Sequence, residues 1–289
     1  MMQVLIISIV VGTVYAVLAL GFSLIWGAAR IVNLAYTSFY MLAAYFFYVF
    51  CSLVHLNIFI SAILAIGVAS FIGVATYKFV LEPIRSHETV VILISIASAF
   101  FFEECIISIF GTDFRRVPPF ISGYQELLEV RVLNQHFLAF GVSIALILSL
   151  WLFLSRSRVG IAIRATSQDR EIVNVMGINE KKLSLIAMCI GIGFVTISSI
   201  LVSPIYVVEP LMWVHPMIMV LAIVVLGGLG SLKGSFIAAY LLAFSEVAVV
   251  NWLPMGAFIK NAIALLVMVI VLSKKPEGMF GAFFEEERL

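Results

Sequence analysis

The chain has 289 residues, 63% of them hydrophobic and 11% charged, with a formal net charge of +1. A soluble domain carries about 25% charged residues, so this composition excludes a water-soluble enzyme, a nucleic-acid binder and a disordered chain. Lipid is the solvent for most of this protein.

Residues 1–29 contain no charge. The start, Met1-Met2-Gln3, lacks the basic region of a signal peptide, so the first apolar run is expected to be a retained span. The uncharged stretch 31–77 is long enough for two crossings at about 20 residues each, with His55-Leu56-Asn57 as the turn between them. Segment 89–110 carries only Glu103 and Glu104, which are expected in hydrated surroundings near the outer membrane face. Segments 137–154, 183–207, 211–232, 235–253 and 257–273 follow, the last two separated by Pro254-Met255-Gly256. With 2–26, 33–54, 57–77 and 89–110 they give an all-α polytopic membrane protein of about eight to ten transmembrane helices, read as a single domain over 1–289.

Cys51, Cys105 and Cys189 lie in apolar stretches without a CxxC or Cys/His cluster, so buried thiols and no metal site are expected. His55, His87, His136 and His215 are all read as loop residues, which leaves no catalytic pair in the spans and argues against an enzyme.

Lys and Arg concentrate in cytoplasmic loops, and the densest basic stretch is 155–182, with Arg156, Arg158, Arg164, Arg170, Lys181 and Lys182. Placing it inside brings Arg30, Lys78, Arg85, Lys233, Lys274, Lys275 and Arg288 to the same side. Only Arg115, Arg116, Arg131 and Lys260 fall outside, a 13-to-4 split that predicts an outer N-terminus and an inner C-terminus. The outer loop 111–136, with Pro118-Pro119 and Gly123, reads as a short surface helix or an ordered cap.

Within 155–182, Gln168 to Met176 can form a short helix. Ser167 suits its N-cap, Asp169 and Glu171 lie in the first turn where the helix dipole favours acids, and Gly177 suits the left-handed position past its end. Ile172, Val175 and Met176 share one face. Such a helix is marginal alone in water; it either lies on the membrane surface or inserts its apolar face into a groove on a cytoplasmic partner.

Glu171, Gly177 and Ile178 resemble the Glu-Ala-Ala…Gly loop of ABC importer permeases, with Ile172 and Val173 in place of the two alanines. The wider pattern is more specific. Gly12, Tyr15-Ala16, Ala19-Leu20-Gly21, Leu24-Ile25, Gly27, Ile31, Asn33 and Ala35 fall at the spacings of the branched-chain amino acid permease family. So do Gly160 with Ala162 to Ala165, Val225 to Ser231 with Gly234, and Pro276, Gly278, Phe280 and Gly281. The chain resembles the shorter of that family's two permease subunits.

That resemblance implies an importer subunit that hydrolyses no ATP itself and binds no cofactor. Its partners would be two cytoplasmic ATPase subunits carrying ATP and Mg, a second related permease subunit and an extracytoplasmic solute-binding protein. The setting would be a bacterial or archaeal cytoplasmic membrane. ATPase coupling would fall to Arg164, Asp169, Arg170, Glu171, Ile172, Met176, Gly177 and Ile178. Urea or short-chain amides are the alternative cargo within the same family.

Gly227, Gly228, Gly230 and Gly234 do not form a phosphate-binding loop, because Lys233 is followed by Gly and no strand precedes them. A tight inner turn between close-packed spans is the expectation. Glu246 is an acid well inside a span, so it is either a structural hydrogen-bonding group or part of a pathway. As a proton relay it would instead suit a secondary transporter, whose usual internal repeat is not evident here. Asn33, Tyr36 and Thr37 form a polar patch at a span entry, read as a helix cap or as part of the translocation path or its gate. The family usually has His and Gly at the positions of Tyr36 and Thr37.

Overall fold

The computed structural model describes residues 2–127, 130–168, 177–252, 256–275 and 278–280. Within them run ten α-helices: α1 (Met2–Ala29), α2 (Ser38–Tyr48), α3 (Ile58–Thr76), α4 (Glu88–Phe110), α5 (Asn134–Arg156), α6 (Arg158–Gln168), α7 (Glu180–Val202), α8 (Val214–Gly227), α9 (Leu232–Trp252) and α10 (Gly256–Lys274). Among the described residues, eight helical stretches are long and apolar enough to cross a membrane. The chain is thus an all-α polytopic membrane protein.

Charge-free sequence makes α1 the longest element, 28 residues, or about 42 Å at 1.5 Å per residue. It exceeds the roughly 30 Å hydrocarbon core. It is also the central strut, packed on α5, α7, α8 and α9. Its most apolar window is 72% buried, against 28%, 28% and 22% for the windows in α3, α4 and α5. Those three helices therefore turn large side chains such as Phe71, Leu93 and Trp151 outward, as lipid-facing spans do.

With lipid as apolar as leucine, close helix contact depends on small residues and interhelical hydrogen bonds. At the α1–α7 crossing a Cβ on Gly191 would stand 2.8 Å from the Gly21 carbonyl oxygen, so only glycine permits this approach. Ser23 on α1 and Ser235 on α9 are joined at 2.6 Å, and Ser199 on α7 donates to the Tyr40 carbonyl at 2.6 Å.

The turn expected at His55 to Asn57 is present. Asn57 caps α3 by accepting from the Phe59 amide at 2.9 Å, and α2 and α3 both end in a π-helical turn, Val49–Leu53 and Tyr77–Leu81. Among the described residues of the outer loop, the short surface helix is not what forms. The loop holds an antiparallel hairpin, β1 (Tyr124–Leu127) paired with β2 (Val130–Leu133) in the register Tyr124↔Leu133 to Leu127↔Val130. The β-branched Val130-Arg131-Val132 run favours strand over helix. Arg115 and Val208 add an antiparallel bridge between the outer loop and the segment after α7.

Other expectations are corrected. Ser167 is not an N-cap: it lies inside α6 and donates to the Arg164 carbonyl at 2.7 Å. Cys51 and Cys105 are half-buried and Cys189 is exposed. Glu103 is buried rather than hydrated, because it accepts the Trp213 indole N–H at 2.9 Å, while its neighbour Glu104 is exposed.

Candidate functional site

Four helices converge on one carboxylate. Tyr15 sits midway along α1 and donates its hydroxyl to Glu246 Oε2 at 2.7 Å. A single 3₁₀ turn, Pro210–Trp213, feeds into α8 and brings His215 into reach. Its Nε2 stands 3.2 Å from Glu246 Oε1, and Lys260 Nζ on α10 stands 3.3 Å from the same oxygen. Asn261 Oδ1 meets His215 Nδ1 at 2.6 Å, and the Tyr15 and His215 rings pack edge to face at 6.2 Å.

A buried carboxylate in lipid is tolerable only when paired and hydrogen-bonded. Glu246, 6% exposed, meets that condition through three donors from three other helices. Two corrections follow. His215 and His136 lie on helices rather than in loops, and Lys260 is no loop charge but faces the membrane acid. The sequence carried one signal for this, since a lone intramembrane acid requires a partner and the candidate bases at the outer span ends are few.

Tyr15, His215 and Lys260 also line a cavity of about 210 Å³. Its wall is largely apolar, from Val10, Val14 and Leu18 of α1, Ala139 of α5, and Val202 and Met212. Tyr40, His136, Tyr206 and Glu209 complete the polar lining. Among the described residues no group of three or more His, Cys, Asp and Glu side chains could hold a metal ion.

The polar patch at the start of α2 lies elsewhere. Asn33 Oδ1 accepts from the Ala35 amide at 3.1 Å, capping the 3₁₀ turn Leu34–Thr37. Tyr36 is buried, and its hydroxyl lies 3.1 Å from both the Leu18 and the Gly191 carbonyl oxygens. The Thr37 hydroxyl is buried without a hydrogen-bond partner. Asn33, Tyr36 and Thr37 line only a crevice of about 10 Å³, with none of the Glu246 group.

At the opposite end of α1, Arg164 is exposed on α6. Gly177 is exposed at φ 76°, and Ile178 packs against the cluster containing Ala28, Ile163 and Leu183. Asp169, Arg170, Glu171, Ile172 and Met176, and the helix expected there, lie outside the described residues.

The glycine segment is a tight turn. Gly227 ends α8, Gly228 and Gly230 adopt φ 99° and 81°, and Ser231 Oγ accepts from the Gly234 amide at 3.1 Å. One feature was not legible in the sequence: residues 278–280 fold back on this turn. The Met279 amide donates to the Leu226 carbonyl at 2.8 Å, and the Phe280 amide to the Gly227 carbonyl at 3.1 Å.

Apolar spans, a buried charged cluster and an internal cavity together define a multi-pass membrane protein. Residues 4–272 match the family described as branched-chain amino acid transport system / permease component, and the chain belongs to that family. It is 26% identical to the high-affinity branched-chain amino acid transport system permease protein BraD of Pseudomonas aeruginosa, over 97% of this chain and 95% of BraD. It is 24% identical to LivH of Escherichia coli, a permease protein of the same description, over 95% of this chain and 93% of LivH. A probable branched-chain amino acid transport permease protein LivH of Methanocaldococcus jannaschii is 22% identical over 95% of this chain and 90% of that protein. Among solved structures, PsaBC from Streptococcus pneumoniae in complex with Fab shares the fold, with TM-score 0.51 and 16% identity over 94% of this chain and 90% of that one.

Proposed function

We propose that this chain is the membrane-spanning permease subunit of an ABC importer that carries branched-chain amino acids by ATP-driven alternating access. The observation carrying this reading is likeness over nearly the whole chain to relatives that are themselves named for that transport. None of those names mentions urea, an amide or a proton-coupled carrier.

ATP and Mg act on two separate cytoplasmic ATPase subunits. A second related permease subunit completes the passage, and an extracytoplasmic binding protein delivers the solute. Residues 1–289 form one permease domain in a bacterial or archaeal cytoplasmic membrane, N-terminus outside and C-terminus inside. In support, several basic segments meet at one end of the bundle. Arg85 pairs with Glu180 at 3.2 Å, Ser184 bonds the Ala28 carbonyl at 3.2 Å, and Trp26 lies beside Gly230, close to Lys233 in sequence.

The coupling surface runs from Arg164 through Asp169, Arg170, Glu171, Ile172 and Met176 to Gly177 and Ile178. The left-handed backbone at Gly177 suits the end of a short docking helix. Asn33, Tyr36 and Thr37 belong to the gate, Glu246 to the pathway wall, and Gly227, Gly228, Gly230 and Gly234 to the inner turn.

The test is purification of the native complex and assay of leucine, isoleucine and valine uptake in vesicles. The expected outcome is co-purifying ATPase subunits and ATP-dependent uptake that ignores a proton uncoupler. Gly177→Asp should leave the chain inserted but release the ATPases and abolish uptake. Uptake that collapses with the proton gradient while ATP stays high would overturn the reading.

A further inference from the structure

The geometry points to the cavity beside Glu246 as a station for a zwitterionic amino acid with an aliphatic side chain, held within this single chain. The inference rests on the proposed transport function and adds to it where the solute pauses and which groups hold it.

The cavity, about 210 Å³, is smaller than the roughly 300 Å³ at which sites for drug-sized ligands begin, so it suits a small solute. Val10, Val14 and Leu18 give it an apolar wall, and Lys260, His215 and Glu209 belong to its polar lining. Lys260 and His215 share a single carboxylate, Glu246, and the Lys260 side chain stays 29% exposed. The Lys260 ammonium has three donors and meets Glu246 with one of them, which leaves donors for a second carboxylate. Glu209 also lines the cavity, and its side chain has no hydrogen bond or ion pair among the described residues.

Lys260, with donors to spare beyond Glu246, and an acid with no hydrogen bond or ion pair among the described residues are both stabilised near lipid by a ligand that matches them. An α-amino acid matches both in one molecule: its carboxylate meets Lys260, its ammonium meets Glu209, and its aliphatic side chain lies along α1. An uncharged amide or urea would satisfy neither charge.

The test uses the purified whole transporter, first with its binding protein in liposomes and then without it in detergent. Uptake of leucine in liposomes checks the transport reading; direct binding of radiolabelled leucine in detergent checks the station. Saturable binding is expected, with the leucine methyl ester and the amine-free acid 4-methylpentanoate each competing at least tenfold more weakly than leucine. Glu209→Gln should weaken leucine binding at least tenfold while the complex stays assembled. Val14→Phe, which fills the wall, should weaken leucine binding at least tenfold and alanine binding less than threefold. If the complex imports leucine but binds none without its partner protein, or if Glu209→Gln binds leucine normally, the station is wrong and the transport reading stands. If the wild-type complex imports no branched-chain amino acid, the transport reading falls and this assignment falls with it.

Discussion

Tyr15 and Glu246, 231 residues apart in sequence, share a 2.7 Å hydrogen bond in the interior of the bundle. The bond ties the first span to the second-to-last helix and orients the carboxylate towards His215 and Lys260 on two further helices. Tyr15→Phe removes one of three donors and should cost about 0.6–2 kcal/mol, the range for interhelical hydrogen bonds in membranes. Glu246→Leu leaves two bases without their acid and should cost more, near the lower end of the roughly 3–5 kcal/mol seen when one partner of a buried pair is removed, since both bases are partly exposed. Thermal unfolding in detergent checks the order: wild type above Tyr15→Phe above Glu246→Leu.

Gly227 and Gly234 approach so closely that a Cβ on Gly234 would fall on the Gly227 carbonyl oxygen. Gly234→Ala should therefore force the inner turn open and lower stability by about 1–3 kcal/mol, the usual cost of overpacking. Gly67 and Gly141 have nothing within 4 Å of an added Cβ, and alanine there should leave the melting temperature unchanged or slightly raised. Equal effects at the three positions would refute the close-packing account.

Glu103 and Glu104 are adjacent acids with opposite surroundings. Glu103→Leu leaves the Trp213 indole N–H buried without its acceptor, at a cost of about 1–3 kcal/mol. Glu103→Gln keeps an acceptor and should recover most of that loss, whereas Glu104→Leu should have little effect on stability. Melting curves of the three variants, with tryptophan fluorescence as probe, decide this.

Orientation is checked by single cysteines at Ser122 and Ser167 in a background lacking the native three. A membrane-impermeant maleimide should label Cys at position 122 on intact cells and Cys at position 167 only after permeabilisation. The opposite pattern would invert the proposed topology.

The span count was legible because it follows from charge spacing and bilayer thickness, properties local to the chain. The turns at His55 to Asn57 and at Gly227 to Gly234 were legible for the same reason: side-chain chemistry and backbone freedom act over a few residues. What could not be read depended on pairing across long separations. His215 and Lys260 stand beside loops in sequence, and only the folded bundle shows that both face Glu246. Glu103 looked hydrated until Trp213, 110 residues later, supplied a donor. The hairpin in 111–136 was missed because its strands are four residues each, too short for alternation to stand out.

The burial of α1 has a consequence for how the protein is made. This helix is synthesised well before its main packing partners, α7 and α9, which begin at residues 180 and 232. During synthesis its glycines, serines and tyrosine must wait in the bilayer until those later helices are made. Biogenesis is thus not vectorial: an insertion factor or the later helices themselves must shelter α1, and truncation before α9 should expose it to membrane quality-control proteases.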